Sequence, residues 1–443
     1  MKKTRFIVIG ALSALALTSC SLFNDKDVDM TINNHFNEVV KENAPETKNF
    51  NGVDYRDTKI DDTNAYLFKN VVYSNTEDGK IKNTYTLESG KCFYDVNGGE
   101  DYEVNSSNNN FDMYVPESAY QKKAEAQTVV LFIHGGAWIS GAKTHVNSYV
   151  KEFAKRGYIA ATIEYSLLSS AALTSDDMDA ETLAKNRSLS LFRDLDEIDA
   201  CIYTMKQTLT KVGFTGDLSL VIGGVSSGAH LTMLYSYSRG SSSAFGAPKF
   251  VVNAVGPTDI KEDVWKAFVN DGGDVLDSID KDHIAAQEAA SNLKDLHISG
   301  TDSWNWNEYQ TMRIANGMAG FHFSPQAVSN TSASKVTVDN KTGDVYKNIV
   351  SNANSAENLL SVTNYITSEH NIPMICAYGG KDVIVGIKQY AKLQTALDLA
   401  GIEYEPFYFK DKGHVNIDEK DEEGNRPIYD AFINKIVNWL GTK

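Results

Sequence analysis

The sequence predicts an α/β fold, a mostly parallel sheet with helices on both faces and an inserted cap-like segment. Three observations carry this expectation. Short, largely apolar runs recur at residues 128–133, 158–163, 218–222, 250–255 and 372–378, and such runs suit strands buried on both faces of a parallel sheet. Helix-compatible segments alternate with them, as crossover connections between parallel strands require. The alternation is broken once, between about 262 and 360, by a stretch too long to be a bare loop.

The elements follow in chain order. Residues 66–78 and 84–96 alternate loosely between apolar and polar residues, with turn composition at Asp78-Gly79 between them. They are expected as an antiparallel pair at the sheet edge. A strand at 111–115 stops at Pro116. Helices are expected at 146–156, 192–209, 227–237, 386–400 and 429–440, with a last strand at 404–409. The interval 262–360 contains Trp265, Trp304 and Trp306 and is expected as a cap beside the site, where Trp304 and Trp306 would stack on sugar or aryl groups.

The N-terminus is expected to lie outside this fold. Lys2, Lys3 and Arg5 precede an apolar run from Phe6 to Leu17, interrupted by Gly10 and Ser13. This is the charged and then hydrophobic build of an export signal, shorter than a membrane span. It ends in Leu17-Thr18-Ser19-Cys20, which resembles a bacterial lipobox. The resemblance implies cleavage after residue 19, lipidation of Cys20 and attachment to a lipid bilayer at the bacterial membrane or cell surface. Each buried methylene of the acyl chains would add about 0.8 kcal/mol to that attachment. The polar stretch 20–55 is expected as a tether, leaving 56–443 as the folded domain.

Composition narrows the function. The 443 residues are 42% apolar and 23% charged, an ordinary globular balance, and carry a formal charge of −16. That charge, with no basic patch, argues against nucleic acid as a partner. No CxxC spacing exists among the cysteines, which argues against a structural zinc site. Cys201 and Cys376 fall in apolar patterns and are expected as small buried hydrophobes.

The chemistry is concentrated in three places. Gly224-x-Ser226-x-Gly228 follows a buried strand and opens a helix. A strand that turns sharply into a helix leaves no room for side chains two positions before and after the serine, and the hydroxyl projects beyond the carboxyl ends of the strands. Ser226 is the expected nucleophile, with the adjacent Ser227 off the centre of the turn. His134-Gly135-Gly136-Ala137-Trp138 follows the strand at 128–133, where exposed backbone N–H groups can receive an oxyanion. A serine hydroxyl also needs a base, and two late segments supply candidates at strand ends, Gly379-Gly380-Lys381-Asp382 and Gly413-His414, in the chain order serine, acid, histidine.

These segments resemble the α/β-hydrolase superfamily, in the esterase branch with an HGG-x-W or HGGG motif, over about 108–260 and 361–441. That branch includes carbohydrate esterases, hormone-sensitive-lipase-like esterases and kynurenine formamidase. The resemblance implies the α/β-hydrolase fold and a serine esterase that needs no metal and no cofactor, acting on small or carbohydrate-linked esters. It assigns Asp382 as the acid and His414 as the base, with Asp411 the rival acid. Gly136, Ala137 and Ser227 become the backbone donors of the oxyanion hole, and His134 a loop-holding residue. Ala137 stands where many relatives have glycine; only its backbone is needed. A serine peptidase or amidase of the same fold, or an inactive surface binding lipoprotein, are the alternatives.

Overall fold

The computed structural model describes residues 48–50, 53–57, 64–88, 91–94, 99–136, 138, 141–167, 180–259, 303–304, 336–337, 361–380, 382, 385, 387–410, 412–414 and 416–443. Among these, β1 (Lys48–Phe50), β2 (Val53–Asp57), β3 (Ala65–Val72), β4 (Tyr85–Glu88), β5 (Lys91–Tyr94) and β6 (Asn110–Pro116) come first. The alternating part follows: α1 (Glu117–Gln121), β7 (Gln127–Ile133), α2 (Asn147–Lys155), β8 (Ile159–Glu164), α3 (Ala180–Lys211), β9 (Leu218–Val225), α4 (Ser227–Arg239) and β10 (Val251–Ala254). After β11 (Ser303–Trp304) and β12 (Val336–Thr337), the chain closes with β13 (Met374–Gly379), α5 (Ile387–Ala400), β14 (Tyr404–Phe409) and α6 (Pro427–Thr442).

One sheet runs in the order β1-β2-β3-β6-β8-β7-β9-β10-β13-β14. From β8 to β14 every pairing is parallel, while β1, β2, β3 and β6 extend it antiparallel. This is the topology of the α/β-hydrolase fold. It places the carboxyl ends of β7, β9, β10, β13 and β14 along one edge of the sheet, and the segments that follow those five strands converge there.

The strands are buried on both faces because both are covered. Val129, Leu131 and Ile133 of β7 and Met374, Cys376 and Tyr378 of β13 pack into one core, which also takes Phe192, Leu195 and Ile198 of α3, Leu231 of α4 and Leu393 of α5. The alternate residues Val130 and Phe132, and Ile375 and Ala377, face the other core, with Tyr149 and Phe153 of α2 and Phe432, Ile433 and Ile436 of α6. A period of two that is apolar at both parities makes the unbroken apolar runs. Removing one such side chain from water contributes roughly 1.5–3 kcal/mol. Cys201 and Cys376 are free thiols inside the first core.

Two expectations are corrected. The segment 84–96 does not pair with the strand before it. β3 pairs instead with β2 and β6, while β4 and β5 form a hairpin of their own. The turn at Gly79 is present, with φ 80° and its N–H donated to the Thr76 carbonyl. The chain leaving it meets Tyr102 through a bridge at Ile81 rather than folding back on β3. Nor is the stretch to residue 55 uniformly a tether: β1 and β2 lie within or across that boundary and add to the sheet, because the free antiparallel edge of β3 offers unpaired backbone groups. The expected signal, Cys20 and nearly all of the 262–360 insertion lie outside the described residues, apart from the short pair β11–β12. Trp306 lies outside them as well. The chain entering the insertion is tied to α5, where Thr258 and Asp259 donate their backbone N–H groups to Gln389 Oε1 at 2.7 and 2.8 Å, and the chain leaving it is tied to the chain entering, where Ser361 Oγ donates to Asp259 Oδ1 at 3.2 Å.

Candidate active site

Ser226 sits between β9 and α4 at φ 54° and ψ −122°. A residue with a Cβ adopts this left-handed turn only when its surroundings hold it there, at a cost of about 1–3 kcal/mol. The two flanking glycines show what holds it. A Cβ on Gly224 would lie 2.4 Å from the Gly228 carbonyl carbon, and one on Gly228 would lie 2.3 Å from the His134 carbonyl oxygen. Strand, helix and the end of β7 are therefore packed backbone against backbone. The Ser226 N–H donates to the Ala254 carbonyl at 2.8 Å, fastening the turn to β10.

The turn delivers the hydroxyl to a histidine. His414 Nε2 lies 2.9 Å from Ser226 Oγ, and His414 Nδ1 lies 2.6 Å from Asp382 Oδ2. The residues are separated by 188 and 32 positions in the chain, and β9, β13 and β14 carry them to the same edge. All three are buried, Ser226 at 8% exposure being the most open. Asp382 Oδ1 accepts the Val385 N–H at 2.8 Å, which aims the other carboxylate oxygen at the imidazole. Ser227 is 1% exposed and its hydroxyl finds no hydrogen-bond partner among the described residues. The structure thus brings Ser226, Asp382 and His414 together and leaves the Ser227 hydroxyl apart. Asp411 lies outside the described residues.

Gly136 follows β7 with φ 133°. Ser227 is the first residue of α4, where a helix leaves its N–H groups without intrahelical acceptors and favours negative charge. Ala137 lies outside the described residues. His134 is fully buried, its ring stacked on Tyr165 with centroids 4.3 Å apart. Its Nδ1–H donates to the Gly135 carbonyl at 2.8 Å, and the Tyr165 hydroxyl donates to the His134 carbonyl at 3.2 Å. Burial lowers the His134 pKa from 6.5 to about 3, so the ring is neutral at ordinary pH and braces the loop.

This has a measurable consequence. Between pH 6.5 and about 3 the unfolded chain takes up a proton at His134 that the folded chain refuses. The stability associated with the neutral ring is complete above pH 6.5 and is lost as pH falls toward 3, at up to about 1.4 kcal/mol per pH unit. His134→Gln is expected to flatten the acid limb of a Tm–pH curve by this one proton. Parallel curves for the two proteins would contradict the assignment.

Two contributors have a role that the motif does not assign. Trp138, the last residue of the HGG-x-W segment, is buried at φ 62° and meets His230 of α4 edge-on, with centroids 5.2 Å apart, so it braces the loop against the helix behind Ser226. Lys143 is buried at the far end of the same loop. Its ammonium donates to Asp112 at 2.7 Å and to Asn70 at 2.6 Å, and its N–H donates to Glu164. A lysine in a polar segment gives no sequence signal of burial; the acid that receives it, Asp112, stands 31 residues away in a strand that reads as apolar. Among the described residues no group of three or more His, Cys, Asp or Glu is placed to hold a metal ion.

The sheet order gives this chain the α/β-hydrolase fold, with the strained serine turn and the Asp382 and His414 segments at its carboxyl edge. The BD-FAE family model, an α/β-hydrolase-type esterase domain, matches residues 111–183. The match runs from β6 into α3; it includes His134, Gly135 and Gly136 and stops short of Ser226. Among solved structures, esterase B from Lactobacillus rhamnosis bound to a tributyrin phosphonate is similar at 14% identity and a TM-score of 0.42, over 74% of this chain and 79% of that one. A truncated carbohydrate esterase from gut microbiota is similar at 15% identity and a TM-score of 0.41, over 75% of this chain and 91% of the other. A hyperthermophilic esterase from the archaeon Pyrobaculum calidifontis gives 10%, 0.43, 75% and 81% in the same order. No curated protein matches the sequence significantly.

Proposed function

We propose that this protein is a serine hydrolase that cleaves carboxylic esters, small or carbohydrate-linked, through an acyl-enzyme. The observation that supports this most is the unbroken chain of contacts from Asp382 through His414 to Ser226 Oγ. With Nδ1–H donated to Asp382, the neutral imidazole keeps its Nε2 lone pair for the serine proton. Ser226 Oγ attacks the acyl carbon as Nε2 takes that proton. The carbonyl oxygen becomes an anion, received by the backbone N–H groups of Gly136, Ala137 and Ser227, each donor being worth roughly 3–4 kcal/mol in such sites. Collapse expels the alcohol, which leaves with the proton from His414. Water then repeats the sequence on the acyl-enzyme, releasing the acid and restoring the serine.

The partial BD-FAE match favours an ester over an amide or peptide bond. In the same reading, Cys20 carries the lipid that holds the exported enzyme to a bacterial membrane or cell surface. The catalytic part is tested with a fluorophosphonate probe. Stoichiometric labelling is expected, on the peptide that contains Ser226, together with turnover of aryl esters and of acetylated or feruloylated sugars in preference to N-formyl aromatics. Absence of labelling, or labelling of a peptide elsewhere, would overturn it.

A further inference from the structure

The strand between the nucleophile and acid strands, β10, contributes no residue to the hydrogen-bond chain just described, yet it ends in strained backbone. Val255 is fully buried and sits at φ 52°. A β-branched residue there is an outlier that the surroundings must enforce. The peptide joining Ala254 to Val255 is the last rung between the nucleophile strand and the acid strand: its carbonyl accepts the Ser226 N–H at 2.8 Å, and its N–H donates to the Ala377 carbonyl at 2.8 Å. Two left-handed residues, Ser226 and Val255, are thus coupled through one peptide group.

Two buried side chains clamp the chain immediately beyond it. Asn253 Oδ1 accepts the Gly256 N–H at 2.8 Å, and Asn253 Nδ2 donates to the Tyr378 hydroxyl at 2.8 Å. That hydroxyl donates in turn to the Gly256 carbonyl at 2.5 Å. Burial raises the Tyr378 pKa well above its usual value, so the donor proton is retained. Tyr378 immediately precedes Gly379, whose carbonyl accepts the Asp382 N–H at 3.3 Å.

From this we infer that Asn253 and Tyr378 are positioning residues: they hold Val255 in its left-handed turn and so fix the distance between the Ser226 bend and the Asp382 loop. The inference rests on the hydrolase reading above. Without the clamp, Val255 relaxes toward negative φ, the shared peptide rotates, and Ser226 shifts against His414. Displacements of about 1 Å in such sites cost about a hundredfold in rate.

Tyr378→Phe removes only the hydroxyl. With an aryl ester, and with rates normalised to end-point fluorophosphonate titration, kcat is expected to fall ten- to a hundredfold while KM changes less than twofold. Val255→Gly accepts positive φ without strain. Adding Tyr378→Phe to Val255→Gly is therefore expected to cost much less in kcat than Tyr378→Phe costs alone. Asn253→Ala is expected to behave as Tyr378→Phe does. Equal kcat in Tyr378→Phe and the parent, with only a lower Tm, would overturn the inference, as would strict additivity with Val255→Gly. A parent protein that neither takes the probe nor turns over ester would overturn the hydrolase reading and this one together.

Discussion

Ser226→Ala is expected to lower kcat on an aryl ester by about 10⁵- to 10⁶-fold with KM little changed, a loss typical of removing a triad serine. The reason is geometric. His414 Nε2 is within 2.9 Å of one hydroxyl, that of Ser226, while the neighbouring Ser227 hydroxyl is buried with no partner among the described residues. Ser227 therefore cannot take over, although it is one residue away. The same site carries a stability signature. Alanine keeps a Cβ at φ 54° and keeps the strain, whereas Ser226→Gly releases it and is expected to be more stable than Ser226→Ala by about 1 kcal/mol. Initial rates over a substrate series and thermal melts of the three proteins check both parts. More than one per cent residual kcat in Ser226→Ala would place the nucleophile elsewhere.

The strands that carry the site were legible in the sequence because burial on both faces leaves an unmistakable run of apolar residues, as in β7, β9 and β13. Their helices were legible to within a few residues at most termini, although α3 begins at Ala180, well before the expected 192. Gly224 and Gly228 were legible for the reason that the packing shows: backbone lies where a Cβ would be. The antiparallel edge was not. Pairing of β3 with β6 joins segments some forty residues apart, and loose alternation in a strand does not say which partner it takes. The clamp at Val255 was hidden too, but a signal existed. Asn253 interrupts the run Val251-Val252-Asn253-Ala254-Val255, and a fully buried amide in a central strand needs hydrogen bonds from somewhere. Tyr378 gives the same hint at the end of β13. The Lys143 cluster offered none, because its partners come from three strands and a lysine reads as surface until the fold encloses it.

Asp382→Asn is expected to lower kcat by about 10⁴-fold without unfolding the protein. The carboxylate is fully buried between two uses: Oδ1 receives the Val385 N–H and Oδ2 faces His414 Nδ1. An asparagine of the same shape can keep one of these and not both. If its carbonyl oxygen receives Val385, its amide presents N–H to Nδ1, which must then accept; the proton moves to Nε2 and the imidazole can no longer take one from Ser226. If the amide is reversed, the N–H of Val385 faces another N–H and the loop loses its brace. Either arrangement leaves the serine without a base, and neither leaves a buried negative charge to stabilise the imidazolium formed during attack. Because the defect lies in the tautomer rather than in binding, KM should change little, and hydroxide should partly replace the base, so that kcat rises more steeply with pH above 9 than in the parent. A pH–rate profile of the two proteins distinguishes this from simple misfolding, in which kcat per titrated site would be normal. Full activity in Asp382→Asn would assign the acid to another carboxylate and separate the 2.6 Å contact from catalysis.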